Sequence, residues 1–206
     1  MKESYSLKVE LTFTTNILGS QPKNQDVVDS YIKTRAKGKE TADEFASPLS
    51  DDLINEKESK AWTGFQEENG FPFIMDYAVK GFLKHSGNVQ KEHLSIKALR
   101  SKIDDLVFVT PRKIFFDKPI LKEPFQRPLR AMTMQGPRVT LVKSDIVEEG
   151  AKITFWINVP IPCEITKDKM LKILSFGEYT GIGQFRNGGF GKFTYKILEE
   201  KIGEND

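Results

Sequence analysis

The stretch "YSLKVELTF" (Tyr5 to Phe13) places Tyr5, Leu7, Val9, Leu11 and Phe13 at every second position, with polar residues between them. Successive side chains of an extended chain point to opposite faces, so this pattern predicts a strand with one face toward a core and the other polar. Further along, Ile153, Phe155 and Ile157 alternate in the same way with Thr154, Trp156 and Asn158. Strands of this kind belong in an antiparallel sheet with helices covering one face.

The rest of the chain supplies those helices and more strands. "NQDVVDSYIKTRAKGKE" (24–40) reads as a short helix, and 41–60 as an acidic, Ser-rich segment poor in large apolar residues. Together they predict a mobile insertion over about 19–61. Two extended pieces flank the Asn69-Gly70 turn, and Asp76 is placed to cap a helix running to about Ser86. A second helix is expected over about 93–103, followed by the strand pair "DLVFVTPRKIFF" with Pro111 at its bend. Strand, loop and strand fill 127–159, with a turn at Glu149-Gly150. A last helix begins after Thr166, with Met170, Leu171, Ile173, Leu174 and Phe176 on its apolar side. "FGKFTYKILEE" closes as a strand. The order β, α, β, β, α, β predicts an α+β fold of ferredoxin-like type (split βαβ, RRM-like) in one domain over 1–206.

Several chemistries are excluded or left without support. The single cysteine, Cys163, allows no internal disulfide and no cysteine-based zinc site. With two histidines and no Cys/His cluster, no metal or other cofactor is expected. The alternating N-terminus is not patterned as a secretory leader, and no apolar run approaches the ~20 residues that span a bilayer. The expectation is a cytoplasmic protein of a bacterial host cell with no membrane partner.

"GEYTGIGQFRNGGFGKF" (Gly177 to Phe193) holds six glycines, four aromatic residues and two cations. It lacks the Gly-Lys-Ser/Thr ending of a nucleotide-phosphate loop and the spacing of a dinucleotide fingerprint. Three readings remain: a hairpin that needs glycine for its turns, an anion nest of consecutive amides, or a surface open to a sugar-phosphate backbone. In the last, Arg186 and Lys192 would meet phosphates while Phe185 and Phe190 stack on bases. Alternatively the phenylalanines are core.

Charge is unevenly laid out. Residues 1–79 carry 9 basic and 14 acidic side chains, 80–143 carry 14 basic and 5 acidic, and 144–206 carry 8 and 10. A basic block in a nearly neutral chain suggests a polyanionic partner, unless its cations scatter over the surface. His85 is the candidate for acid–base catalysis, with a solvated helix-terminal imidazole as the alternative. His93 reads as surface.

Three stretches resemble the RAMP superfamily of CRISPR effector proteins, especially the backbone subunits that coat guide RNA. "PFIMDYAVKGFLK" (72–84) is similar to the family's helix start, with Val79-Lys80-Gly81 in the place of Leu-Lys-Gly. "VEEGAKITFWI" (147–157) is similar to its acid, turn and alternating strand, with Ala151 and Lys152 replacing threonine. "GGFGKF" (188–193) resembles its glycine-rich loop, with Lys192 for arginine. The opening strand matches as a strand type only. Small prophage proteins are a looser likeness.

The resemblance implies a ferredoxin-like fold and contact with a single-stranded RNA or DNA backbone through Lys80, Lys84, Gly188, Gly189, Gly191 and Lys192, with Arg186 added on local chemistry. It implies assembly along the strand, as a homo-oligomer or as one subunit of a ribonucleoprotein. The aspartate with which some members cut RNA has no match in Asp26 or Asp29. Two other functions are open: a metal-independent endoribonuclease using His85, and a phage protein that obstructs a host defence complex through its acidic insertion.

Overall fold

A computed structural model describes residues 3–23, 62–133 and 136–203. The helix expected over 24–40 and the acidic segment 41–60 lie outside them. The chain forms strands β1 (Tyr5–Phe13), β2 (Ile17–Leu18), β3 (Gln21–Pro22), β4 (Trp62–Gly64), β5 (Gln66–Glu68) and β6 (Phe71–Met75). Helices α1 (Asp76–Gln90) and α2 (Leu99–Leu106) come next, then β7 (Phe108–Thr110) and β8 (Lys113–Phe115). After β9 (Phe125–Thr133), β10 (Gly136–Ser144), β11 (Ile146–Val147) and β12 (Lys152–Val159) come helices α3 (Lys167–Ser175) and α4 (Gly177–Thr180). A 3₁₀ turn, Arg186–Gly188, precedes β13 (Phe193–Ile202). The fold is α+β, as the alternation required.

Contacts divide the chain into two units, one of Met1–Leu18, Gln66–Leu121 and Val147–Asp206, the other of Gly19–Phe65 and Lys122–Ile146. The first unit is built on a sheet of order β13-β1-β12-β7, antiparallel at each junction. The path from β1 through α1 and α2 to β7 passes over β12, and the path from β12 through α3 to β13 passes over β1. Each β-α-β passage is therefore split by a strand of the other. Leu7 pairs with Ile157, Val9 with Phe155 and Leu11 with Ile153, so both apolar rows share one face. All six are buried, as are Val79, Phe82 and Leu83 of α1 and Met170, Ile173 and Leu174 of α3. Burying each such side chain is worth about 1.5–3 kcal/mol. Phe193 sits among them, 5.0 Å from Phe82 and 6.1 Å from Phe13 between ring centroids.

Several local expectations change for identifiable reasons. Asp76 does not cap α1 from outside: Met75 is the cap residue, and Asp76 is the first helical one, its carboxylate accepting the Tyr77 N–H at 2.9 Å. The helix runs past Ser86 to Gln90 because its last turns are packed. Ser86 is buried and its hydroxyl donates to the Ile173 carbonyl at 2.7 Å, and a Cβ on Gly87 would overlap Ile103. The helix expected from 93 starts only at Leu99, since Ser95 and Ala98 take left-handed φ of 54° and 52°. Leu94 and Ile96 are buried in the turn before it.

The strands either side of Pro111 do not pair with each other. β7 joins β12, whereas β8 joins β6 in the three-stranded sheet β5-β6-β8. Asn69 and Gly70, with φ of 53° and 80°, make the tight turn between β5 and β6 as their sequence predicts. Thr166 does precede α3, though its side chain makes no cap bond.

In the second unit the sheet order is β3-β4-β10-β9, with β9 and β10 paired over nine residues each. Its anchor is Asp145, 2% exposed, which accepts the Trp62 indole N–H at 2.8 Å and faces the Lys23 ammonium at 2.6 Å. Gly64 has no side chain because a Cβ there would overlap that carboxylate. Among the described residues no helix is long and apolar enough to cross a membrane.

Candidate nucleic-acid interface

The glycine-rich segment is neither a hairpin nor a row of free amides. It folds back on itself and onto the turn that follows β1. The Ile182 N–H donates to the Gly191 carbonyl at 2.8 Å, and the Gly191 N–H to the Asn16 carbonyl at 2.9 Å. The Thr14 N–H meets the Lys192 carbonyl at 2.9 Å, and the Lys192 N–H meets the Thr15 hydroxyl at 3.0 Å. Gly191, at φ +71°, lies so close to Ile182 that a Cβ would overlap its carbonyl oxygen. The Gly188 and Gly189 amides bond to the Phe185 and Arg186 carbonyls, both at 2.9 Å. With Gly188, Gly189, Gly191 and Lys192 all donating within the protein, the anion nest is not formed.

Phe185 and Phe190 stack on each other, with centroids 5.7 Å apart and planes 29° apart. Phe185 is held at φ +54°, and Gly188 leaves room for its ring. Their first partners are thus one another. Phe193, by contrast, is core, as Gly177 shows: a Cβ there would overlap its ring.

What the segment does build is a cleft of about 270 Å³. Arg186, Asn187, Gly189 and Lys192 line it together with Tyr179 and Thr180 of α4 and His85. His85 lies inside α1, five residues before Gln90, and not at a helix terminus as expected. None of these side chains is acidic, and neither Arg186 nor Lys192 has an ion-pair partner among the described residues. Tyr179 is 69% exposed. Gly189 has φ +88° and open space where a Cβ would be, so backbone is accessible at the cleft wall. A guanidinium, an ammonium, an imidazole, a phenol and a carboxamide converging without a carboxylate suit a phosphodiester and a sugar hydroxyl. The cleft brings together His85, Arg186, Gly189 and Lys192 from separate parts of the sequence. Tyr179, Thr180 and Asn187 were missed, although all lie inside the glycine-rich segment.

Lys80 and Lys84 are elsewhere. Both reach Asp104 of α2: Lys84 Nζ lies 2.7 Å from Oδ2, and Lys80 donates to the backbone carbonyl at 2.7 Å with Oδ1 at 3.7 Å. The Lys84 hydrogen bond, aided by the charges of both lysines, holds the Asp104 carboxyl below its ordinary range. Lys80 also lies 5.3 Å over the Phe108 ring. These two cations tie α1 to α2.

The basic block follows the same logic. Lys102 pairs with Glu164, Lys113 with Glu68 at 2.6 Å, and Lys118 with Glu148 at 3.7 Å. Others, such as Arg127 and Lys143, lie in the second unit. Several cations of the block are therefore held in ion pairs within the first unit, and others belong to the second. His93 is exposed, as expected. Among the described residues no group of three or more His, Cys, Asp or Glu is placed to hold a metal ion.

No family model matches the chain, and no curated protein matches it in sequence. Among solved structures, a chain of the cryo-EM structure of the Type III-B Cmr-beta bound to cognate target RNA is similar to it, with a TM-score of 0.46 and 12% identity. The likeness covers 98% of this chain and 61% of that one, so this chain spans about three fifths of its length. Similarity of that degree says nothing by itself of function, which has to be read from the side chains.

Proposed function

We propose that this protein is a RAMP-like domain of ferredoxin-like type that binds single-stranded nucleic acid, RNA in preference to DNA. The observation that carries the reading is the cleft where Arg186 and Lys192 meet His85, Tyr179 and Asn187 with no acidic side chain in its lining. Arg186 and Lys192 hold successive phosphates, Tyr179 offers an exposed ring to a base, and Thr180 and Asn187 face the ribose. A 2′-hydroxyl gives those polar groups a partner that DNA lacks. The split order of the main sheet supports the ferredoxin-like reading. On a long strand such domains would sit side by side, as a homo-oligomer or as one subunit of a ribonucleoprotein.

The test is binding of labelled single-stranded RNA and DNA of about 16–32 nucleotides, with salt titrated and oligomeric state followed in the same samples. Wild-type protein binds with strong salt dependence, and Arg186→Glu/Lys192→Glu loses most of that affinity. Absence of binding at low salt, or a double variant that binds normally, removes the reading.

A second reading is favoured by the position of His85 in the same cleft. Its imidazole would take the proton of a ribose 2′-hydroxyl as that oxygen attacks phosphorus. The P–O5′ bond breaks, the leaving oxygen is protonated, and a 2′,3′-cyclic phosphate and a 5′-hydroxyl result. His85→Ala then abolishes cleavage and spares binding; cleavage that persists in the variant, or is absent from the wild type, rules it out.

A further inference from the structure

The face of the main sheet opposite the helices carries an aromatic residue that core packing does not account for. Trp156 lies in β12 between Phe155 and Ile157, which point into the core, while its own side chain lies on the polar face. It pairs directly with Lys8 of β1 on one side and Thr110 of β7 on the other. The Lys8 ammonium is 5.7 Å from the indole centroid and that of Lys201, from β13, 5.3 Å. These two cations share one carboxylate, Glu199, at 4.0 and 3.8 Å. Two ammonium groups loosely held by one acid leave net positive charge beside an aromatic ring.

Two residues down the same strand the surface opens into a groove of about 360 Å³. Thr154 and Lys152 of β12 and Lys113 and Phe115 of β8 line it together with the carboxylates of Glu10 and Asp117. Phe115 is 42% exposed, but Lys152 pairs with Glu10 at 3.1 Å and Lys113 with Glu68 at 2.6 Å, so the groove's cations are already neutralised. The Trp156 ring flanked by the Lys8 and Lys201 ammonium groups matches the chemistry of single strands, where bases stack on rings and phosphates meet cations.

We propose that this open face, centred on Trp156, is a second contact surface for single-stranded nucleic acid. One base stacks on the Trp156 indole, and Lys8 and Lys201 take the adjoining phosphates. The surface rests on the reading of the chain as a nucleic-acid binder, yet it shares no residue with the cleft at His85 and Arg186. Glu199 works against it, because its charge both repels phosphate and occupies the two lysines.

The test uses the full chain and a single-stranded RNA carrying photoreactive 5-iodouridine. On irradiation the crosslink falls in the tryptic peptide 153–167, whose two aromatic residues are Phe155 and Trp156. Trp156→Ala weakens binding by about tenfold, Trp156→Phe retains most of it, and Glu199→Gln tightens it at low salt. Lys8→Glu/Lys201→Glu, which leaves the apolar face untouched, lowers the salt slope by about two phosphates' worth and carries the test should Trp156→Ala fail to fold. Weakening in these variants while Arg186→Glu/Lys192→Glu binds normally assigns the strand to the sheet and removes the cleft. Crosslinks confined to 177–193, with both open-face variants binding normally, overturn the inference and leave the cleft standing. No binding by the wild type overturns both.

Discussion

Lys84 directs its ammonium to the Asp104 carboxylate, 2.7 Å away, and with Lys80 beside it the two helices α1 and α2 are joined through one acid. That carboxyl is held low, so it binds a proton more weakly folded than unfolded. Its contribution to stability is complete above the unfolded value of about 3.9 and is lost as pH falls through the lower folded value. Asp104→Asn is expected to lower the melting temperature slightly near neutral pH, the difference from wild type closing in acid. The pair is solvent-exposed, so the effect is small and shrinks with salt. Melting curves at several pH values check it. The same variant frees Lys84 from its ion pair while Lys80 keeps the Asp104 backbone carbonyl, and if Lys84 serves the RNA backbone the affinity for RNA rises.

Gly191 and Gly189 both take positive φ but differ in their neighbours. A Cβ on Gly191 would overlap the Ile182 carbonyl, whereas one on Gly189 meets nothing within 4 Å. Gly189→Ala therefore bears backbone strain alone, about 1 kcal/mol. Gly191→Ala must also displace the segment from Ile182 and Asn16, for a loss of about 2–4 kcal/mol. Denaturant titration of the two variants separates them; equal losses would mean that the close approach is not a constraint.

Asp145→Ala removes the acceptor of the Trp62 indole and the partner of Lys23 in one step. A buried polar network losing its centre costs about 3 kcal/mol, part of it relieved because Lys23 can reach water. Asp145→Asn retains the hydrogen bond to Trp62 and is expected to lose less. Thermal melts, with indole fluorescence as the local probe, give the order of the two.

Tyr179 is 69% exposed at the mouth of the cleft, and its removal should leave stability within about 0.5 kcal/mol of wild type. Tyr179→Ala is expected to weaken RNA binding severalfold, and Tyr179→Phe to retain the stacking share of it. A binding titration at one salt concentration is sufficient. If both variants bind as the wild type does, the ring takes no part.

Much of the architecture was legible where the determinant is local. Alternation in β1 and β12, the Asn69-Gly70 turn and the apolar side of α3 were all readable, because strand and helix periods repeat within a few residues. The failures lie where a distant contact decides. α1 continues to Gln90 because Ser86 meets Ile173 and Gly87 meets Ile103. β7 and β8 part company because each finds a partner from another stretch of chain. The candidate site follows the same division. The glycine-rich segment was marked by composition, but the cleft needs His85, about a hundred residues earlier, and Lys80 and Lys84 were drawn away by an aspartate beyond the next turn.

The sequence alone therefore determined which faces are apolar and that the chain turns at Asn69-Gly70 and Glu149-Gly150, since these depend on neighbours along the chain. The tertiary structure decided which cations meet acids, which glycines are closed in by another backbone and which polar side chains converge on one cleft. Coulomb energy and steric overlap depend on distance in space, and for Lys84, Gly191 and His85 that distance is set by folding.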